Sequence, residues 1–206
     1  MVEVDDVALL ESWRAGNQGA GQALFARHFS AVFRFFQTKC EPEAEELTQA
    51  TFLACVRAKD QFRQDASFRT YLFTIARHEL CHHLRTKSRK LDKLDFEVSS
   101  IADLVSTAGT QLARAHEHRQ LVEALQKLPV DQQVLLELHY WEDMDISGLA
   151  KVFETTAQAI RSRLLRARKS LRAQVVALAP PEALKDDETL DSWMQQQEIA
   201  GRDSHP

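Results

Sequence analysis

Residues 145–172 read DISGLAKVFETTAQAIRSRLLRARKSLR. Ile146, Leu149, Ala150 and Phe153 recur at steps of three and four and predict a helix of roughly two turns. Glu154, Thr155 and Thr156 leave room only for a tight turn. Thr156 is the expected N-cap of the next helix, because its hydroxyl can accept from an orphan amide. Ile160, Leu164 and Leu171 then form a second apolar stripe. The remaining faces carry Gln158, Arg161, Ser162, Arg163, Arg166, Arg168 and Lys169. Two short helices joined tightly, the second densely basic, present a recognition helix to the major groove of DNA. Small Ala150 lies where the two helices must approach closely. A basic helix face is often merely solvated. Six basic residues and no acid between Arg161 and Arg172 weigh against that reading here.

The rest of the chain agrees with a helical fold. It has 206 residues, 44% hydrophobic and 27% charged, with six glycines and five prolines. So few turn formers argue against a β sandwich or barrel. No apolar run reaches the ~18 residues of a membrane span. Met1 to Asp6 is acidic with no apolar core behind it, unlike a secretory signal. Cys40, Cys55 and Cys81 are odd in number and widely spaced, so a reduced, cytoplasmic setting is expected. The net charge of −4 is unevenly spread. Residues 182–206 hold seven acids against Lys185 and Arg202, a sum of −5, which leaves +1 for residues 1–181. Arg85 to Lys93 holds five basic residues and one acid, and Glu41 to Glu46 holds four acids. Such blocks mark separate electrostatic surfaces.

Spacing predicts further helices. Val7 to Trp13 is closed by Gly16 and Asn17, and a second stripe runs through Leu24, Phe25, Phe29, Val32, Phe33 and Phe36. Pro42 opens a third helix with Leu47, Ala50, Thr51, Ala54, Cys55 and Ala58 as its inner face. A fourth begins near Ser67 and runs to about Arg89. Ten of eleven phenylalanines lie at or before Phe96, so the first half is expected to have its own aromatic core. Periodicity fades from Asp95 to Thr110, apart from a short turn through Ile101 to Val105, and this segment reads as a linker. It returns at Leu121, Val122, Leu125 and Leu128, then at Val134, Leu135, Leu138 and Trp141. Pro180 and Pro181 break the chain before the acidic tail. The expected architecture is all-α: two small helical domains, 1–94 and 114–178, joined by a flexible linker, 95–113, with a tail at 179–206.

Glu43, Glu45 and Glu46 sit in a first helical turn, where the helix dipole favours one or two acids. Four acids in six residues, with Gln49 one turn on, suit docking to a basic or polar helix. The fourth helix interleaves Phe68, Arg69, Tyr71, Phe73, Arg77 and His78 with Arg85 and Lys87. Aromatics that stack bases beside cations that follow phosphates fit single-stranded nucleic acid, although most of these rings also fit a core. His78, Cys81, His82 and His83 form at best an incomplete ligand set, so no metal is expected. Gly-rich phosphate loops and nucleophile elbows are absent from the sequence, so no cofactor and no catalytic residue are expected.

Four strings, in order, resemble a group IV, extracytoplasmic-function sigma factor of bacterial RNA polymerase. They are EPEAEELTQATFLA (41–54), FRQDASFRTYLFTIARHELCHHLR (62–85), LQKLPVDQQVLLELHYWEDMDISGLAKVF (125–153) and AIRSRLLRARKSLR (159–172). The resemblance implies a factor that directs promoter recognition, promoter melting and transcription initiation, in response to an envelope or environmental signal, and is not itself an enzyme. It implies that Glu43, Glu45, Glu46, Leu47, Gln49 and Phe52 meet the clamp helices of the largest polymerase subunit, with the flap as a further polymerase contact. It assigns Phe62, Phe68, Arg69, Tyr71, Arg77, His78 and Arg85 to the melted minus-ten element. Gln158, Arg161, Ser162, Arg163 and Arg166 then read the minus-thirty-five duplex. An anti-sigma factor is a further implied partner, and no membrane insertion is implied. His78 stands where many relatives have asparagine, and Glu154 where the family usually has glycine. The resemblance does not reach the tail.

Two other readings compete. A conventional helix-turn-helix regulator would bind duplex DNA alone and have no use for the acidic docking helix. A small metal-dependent hydrolase would have to build its centre from His78 to His83. The tail also has two readings: a solvated segment, or one that folds back on the basic helix with Leu190, Trp193 and Met194 as an apolar anchor.

Overall fold

The computed structural model describes residues 5–62, 65–87, 95–104, 116–178, 191, 194 and 195. The chain divides into two compact units, Met1–His83 with Lys151–Glu154, and Leu84–Ala150 with Thr155–Pro206. Among the described residues the regular structure is helical, and one isolated antiparallel bridge joins Ser100 to Pro129.

In the first unit α1 (Asp6–Arg14) packs against α2 (Gln18–Gln37). Gly16, at φ +104°, reverses the chain between them in the left-handed region that glycine tolerates. The Asn17 side chain then accepts from the Ala20 amide at 3.2 Å and caps α2. Gly21 lets the helices approach, since a Cβ there would fall 2.7 Å from the Trp13 ring. A 3-10 turn, Glu41–Glu43, leads into α3 (Ala44–Ala58), which also packs on α2. Arg14 staples the far end of α3: its Nε donates to the Lys59 carbonyl at 2.9 Å and Nη2 to the Phe62 carbonyl at 2.6 Å. The Ser67 hydroxyl accepts from the Thr70 amide and opens α4 (Phe68–Lys87). Burial pushes the Cys55 thiol up to about 12, so it stays protonated as a core residue.

Lys39 was not expected inside, yet it is only 2% exposed. Its Nζ donates to the Phe35 carbonyl at 2.7 Å and lies 4.0 Å from the Phe35 ring centroid. Those contacts compensate the loss of water around the charge.

The second unit holds α5 (Ile101–Leu104), α6 (His116–Gln126), α7 (Val130–Tyr140) and α9 (Ala157–Leu178), with α8 (Ile146–Val152) leading into α9. Residues 95–104, expected in the linker, are packed. Phe96 and Ile101 are buried, so Phe96 belongs with the second unit rather than with the aromatic core of the first. The physical reason is the start of α7. Pro129 precedes that helix and offers no side-chain cap. The orphan amides of Val130 and Asp131 donate instead to the carbonyls of Ser99 (2.9 Å) and Phe96 (3.1 Å). The rest of the linker, the basic residues 88–93 and most of the tail lie outside the described residues.

Asp145 caps α8, its carboxylate accepting from the Gly148 amide at 2.7 Å, and the Thr156 hydroxyl caps α9 through the Ala159 amide at 3.1 Å. Between them Glu154 adopts φ +51°. A side chain in that region costs about 1–2 kcal/mol. Replacing it with glycine adds about 0.4–1 kcal/mol of unfolded-state entropy, which offsets part of the relief. Glu154→Gly is therefore expected to stabilise the protein by up to about 1 kcal/mol in thermal or denaturant unfolding. A loss of stability would show that this backbone is not strained.

Candidate functional site

Three surfaces carry the residues singled out by sequence. On α3 the exposed face runs through Glu46, Gln49, Leu53 and Val56, with Glu45 at its edge. These positions recur at three and four residues, so they form one stripe. Leu53 is 56% exposed and Val56 41%. Neither was expected there. Leu47 and Phe52, expected to meet a partner, are buried instead. Phe52 lies within 4.7 Å of the Phe25 ring, and Leu47 turns toward the core side of the helix. Both support the face from beneath. Glu43 turns aside as well, its carboxylate 3.9 Å from His83 Nε2. The signal that could have found Leu53 and Val56 is their spacing from Glu46 and Gln49.

On α4 the expected nucleic-acid residues separate. Phe68 is 1% exposed and Phe62 is buried, so neither offers a face to a base in this arrangement. They back the half-buried Tyr71, whose ring lies 4.7 Å from that of Phe62 and 6.4 Å from that of Phe68. The Tyr71 hydroxyl donates to the Ala58 carbonyl at 3.1 Å, which fixes the ring against the end of α3. Burial raises the Tyr71 phenol above its ordinary value, and it remains a donor. Tyr71, His78 and Arg85 sit seven residues apart in turn and line one stripe, with His78 and Arg85 exposed. Arg69 and Arg77 are half-buried on a flank of the helix. Cys81 is buried while His82 is exposed, so the run His78 to His83 does not converge. Among the described residues no three His, Cys, Asp or Glu side chains gather as metal ligands would.

On α9 the exposed stripe is Gln158, Arg161, Ser162, Leu165, Arg166 and Lys169. Ile160, Leu164, Ala167, Leu171 and Val175 are buried behind it. Leu165, missed by the sequence reading, is 65% exposed among basic residues. Arg163 lies at the edge, half-buried, and its Nη2 donates to Glu97 Oε1 at 2.5 Å. Glu97, Asp131, Gln132, Leu135, Arg163 and Arg166 line a half-open pocket of about 50 Å³. A face of this kind can place guanidinium groups on guanine edges, and Leu165 is suited to the apolar methyl of thymine.

Comparison with known proteins bears on all three surfaces. The family profile for Sigma-70 region 2 matches residues 24–90 and that for Sigma-70 region 4 matches residues 118–171, together more than half of the chain. The RNA polymerase sigma-H factor of Pseudomonas aeruginosa is 24% identical over 183 residues, covering 83% of this chain and 94% of that protein. The ECF RNA polymerase sigma-E factor of Escherichia coli (strain K12) is 25% identical over 188 residues, covering 85% and 97%. Among solved structures, CnrH in complex with the cytosolic domain of CnrY aligns with a TM-score of 0.63 at 25% identity, over 86% of this chain and all of that one. The sigma factor RpoE of Bartonella quintana, solved with the anti-sigma factor NepR, aligns with a TM-score of 0.62 at 22% identity, over 75% and 96%, a likeness of fold.

Proposed function

The chain belongs to the sigma-70 family, as a sigma factor of the extracytoplasmic-function type that serves transcription initiation, and from that premise we propose how its surfaces divide the work. The acidic and apolar face of α3, through Glu45, Glu46, Gln49, Leu53 and Val56, docks on the clamp helices of core polymerase. Leu47 and Phe52 hold that face in shape. The stripe Tyr71, His78 and Arg85 holds the melted minus-ten strand, with Phe62 and Phe68 supporting Tyr71 and with Arg69 and Arg77 along its flank. Gln158, Arg161, Ser162, Leu165 and Arg166 enter the major groove of the minus-thirty-five element, with Arg163 at the edge. The observation that carries this reading is the exposed basic stripe of α9, set behind a turn capped by Thr156 and backed by a continuous apolar stripe.

In this division the polymerase supplies the chemistry, and the chain is not an enzyme. It works in the cytoplasm, beside polymerase and promoter DNA. No helix among the described residues is long and apolar enough to cross a membrane. The work of domain two falls to residues 1–94 and that of domain four to residues 114–178, with residues 95–104 buttressing the latter. An anti-sigma factor is a further partner, as one binds the structural relative RpoE.

Transcription in vitro with core polymerase on a promoter library tests the reading. The chain is expected to direct initiation from a defined pair of minus-ten and minus-thirty-five sequences. No initiation above core polymerase alone would overturn it. His78 refines the test, because its exposed ring lies on the strand-holding stripe, where many relatives have asparagine. His78→Asn is expected to change the preferred base at one minus-ten position and to leave thermal stability within ~0.5 kcal/mol, as for a surface substitution. An unchanged preference profile removes His78 from base reading.

A further inference from the structure

Among the described residues of the acidic tail, Asp191 and Met194 meet the helices of the second unit. Asp191 Oδ1 accepts a short hydrogen bond from the Tyr140 hydroxyl and lies 3.5 Å from Arg168 Nε. Arg168 Nε also donates to the Tyr140 hydroxyl at 2.6 Å, so the three groups form one closed network. One turn further on, the Met194 carbonyl accepts from Trp141 Nε1 at 3.1 Å, and the Met194 side chain is 0% exposed. Tyr140 and Trp141 are themselves buried beneath this segment. A carboxylate and an apolar residue three positions apart therefore meet a matching phenol, guanidinium and indole.

We propose that Tyr140, Trp141 and Arg168 form a docking groove for an acidic–apolar segment, and that its resident occupant is the chain's own Asp191 with Met194, a clip that keeps the tail's acids near the basic face of α9. Arg168 lies seven residues from Arg161, two helical turns or about 10.5 Å along the same side of α9. That separation is close to the Debye length of about 10 Å at 0.1 M salt. Tethering holds the tail's acids at an effective concentration on the order of millimolar beside this helix. The tail then competes with DNA phosphates for the same arginines, and raised salt weakens the competition. Burial, together with the bond to Asp191, holds the Tyr140 phenol well above its ordinary value. The proton that links Tyr140 to Asp191 therefore stays in place at neutral pH. The effect on DNA rests on the recognition-helix reading; the groove and its occupant do not.

The test uses the full chain and its Asp191→Ala/Met194→Ala variant, which removes the carboxylate and the buried apolar side chain and leaves only the main-chain hydrogen bond from Trp141. A fluorescent peptide of residues 184–198 is titrated against each. It is expected to bind the variant, whose groove is vacant, more tightly than the wild type. A peptide carrying Asp191→Ala is expected to bind neither. Equal binding to the two chains, or equal binding of the two peptides, overturns the groove. Tyr140→Phe in the variant background is expected to weaken peptide binding while the ring still packs. Promoter duplex is then titrated at low salt. The variant is expected to bind it about threefold more tightly or better, with the gap closing as salt rises. Equal DNA affinity at low salt overturns the masking role. Arg161→Ala in both backgrounds separates the two readings. If it leaves DNA binding unchanged while the peptide still binds, the recognition helix is misassigned and the masking role falls with it, whereas the groove stands.

Discussion

Leu53→Asp combined with Val56→Asp is expected to lower affinity for core polymerase by at least about a hundredfold. The two side chains are exposed on α3 in line with Glu46 and Gln49. A solvent-facing apolar pair has no role in the fold, so its removal changes stability by only ~0.5 kcal/mol. Fully burying a Leu or Val side chain at an interface is worth about 1.5–3 kcal/mol, and a buried unpaired carboxylate adds a penalty. Neighbouring effects do not add fully, which keeps the expectation near a hundredfold rather than a thousandfold. The acids at the rim behave differently. Glu46→Lys with Gln49→Ala is expected mainly to slow association and to alter its salt dependence. Leu47→Ala and Phe52→Ala are expected to cost about 2–5 kcal/mol of stability, because both side chains are buried. Polymerase affinity unchanged in the Leu53/Val56 variant, with helical content intact, would remove this face from docking.

Arg166→Ala is expected to weaken minus-thirty-five duplex binding by about 1–3 kcal/mol, roughly 5- to 150-fold, if the guanidinium meets a guanine edge. Arg161→Ala is expected to act on the same scale. A phosphate contact would instead lower affinity equally on all sequences and flatten the salt slope by about one unit. Arg163→Ala is expected to have a smaller effect than either, because Arg163 must first leave Glu97. Leu165→Ser is expected to relax a preference for thymine at one position while leaving the salt slope unchanged, since no charge is removed. Electrophoretic titration on wild-type and base-substituted duplexes at two salt concentrations separates these outcomes. If none of the four substitutions alters promoter binding, α9 is not the duplex reader.

Much of this protein was legible one turn at a time. Thr156 caps α9 as its hydroxyl predicted; Asn17, read as the end of the first helix, also caps α2, and Ser67, read as the start of the fourth, caps α4. Such caps join residues three apart, so short windows of sequence reveal them. The stripe Ile160, Leu164 and Leu171 was readable for the same reason, and so was the exposed basic face opposite it. The short turn after Ser100 appeared where expected, as Ile101–Leu104.

Other features depend on what a distant element covers. Phe25 and His28 come from α2 to lie against Phe52 and Phe68. Sequence alone could not rank those rings as contact or core, since stacking residues and core residues have the same chemistry. Lys39 is buried because the packed helices cover it, and the Phe35 carbonyl and ring one turn back accept its charge. Residues 95–104 lacked periodicity, yet they pack because the uncapped start of α7 needs their carbonyls. Met194 was readable as part of an apolar anchor, whose other members Leu190 and Trp193 lie outside the described residues, and Asp191 only as one of the tail's acids. Their partners Tyr140, Trp141 and Arg168 were not readable, because they lie 23 to 53 positions away. Sequence by itself thus determined the helices, the Thr156 cap and the sign of each face. Tertiary structure decided which apolar residues remain exposed and which carboxylate meets which arginine, because burial and ion pairing depend on separation in space, and folding sets that separation between residues far apart in the chain.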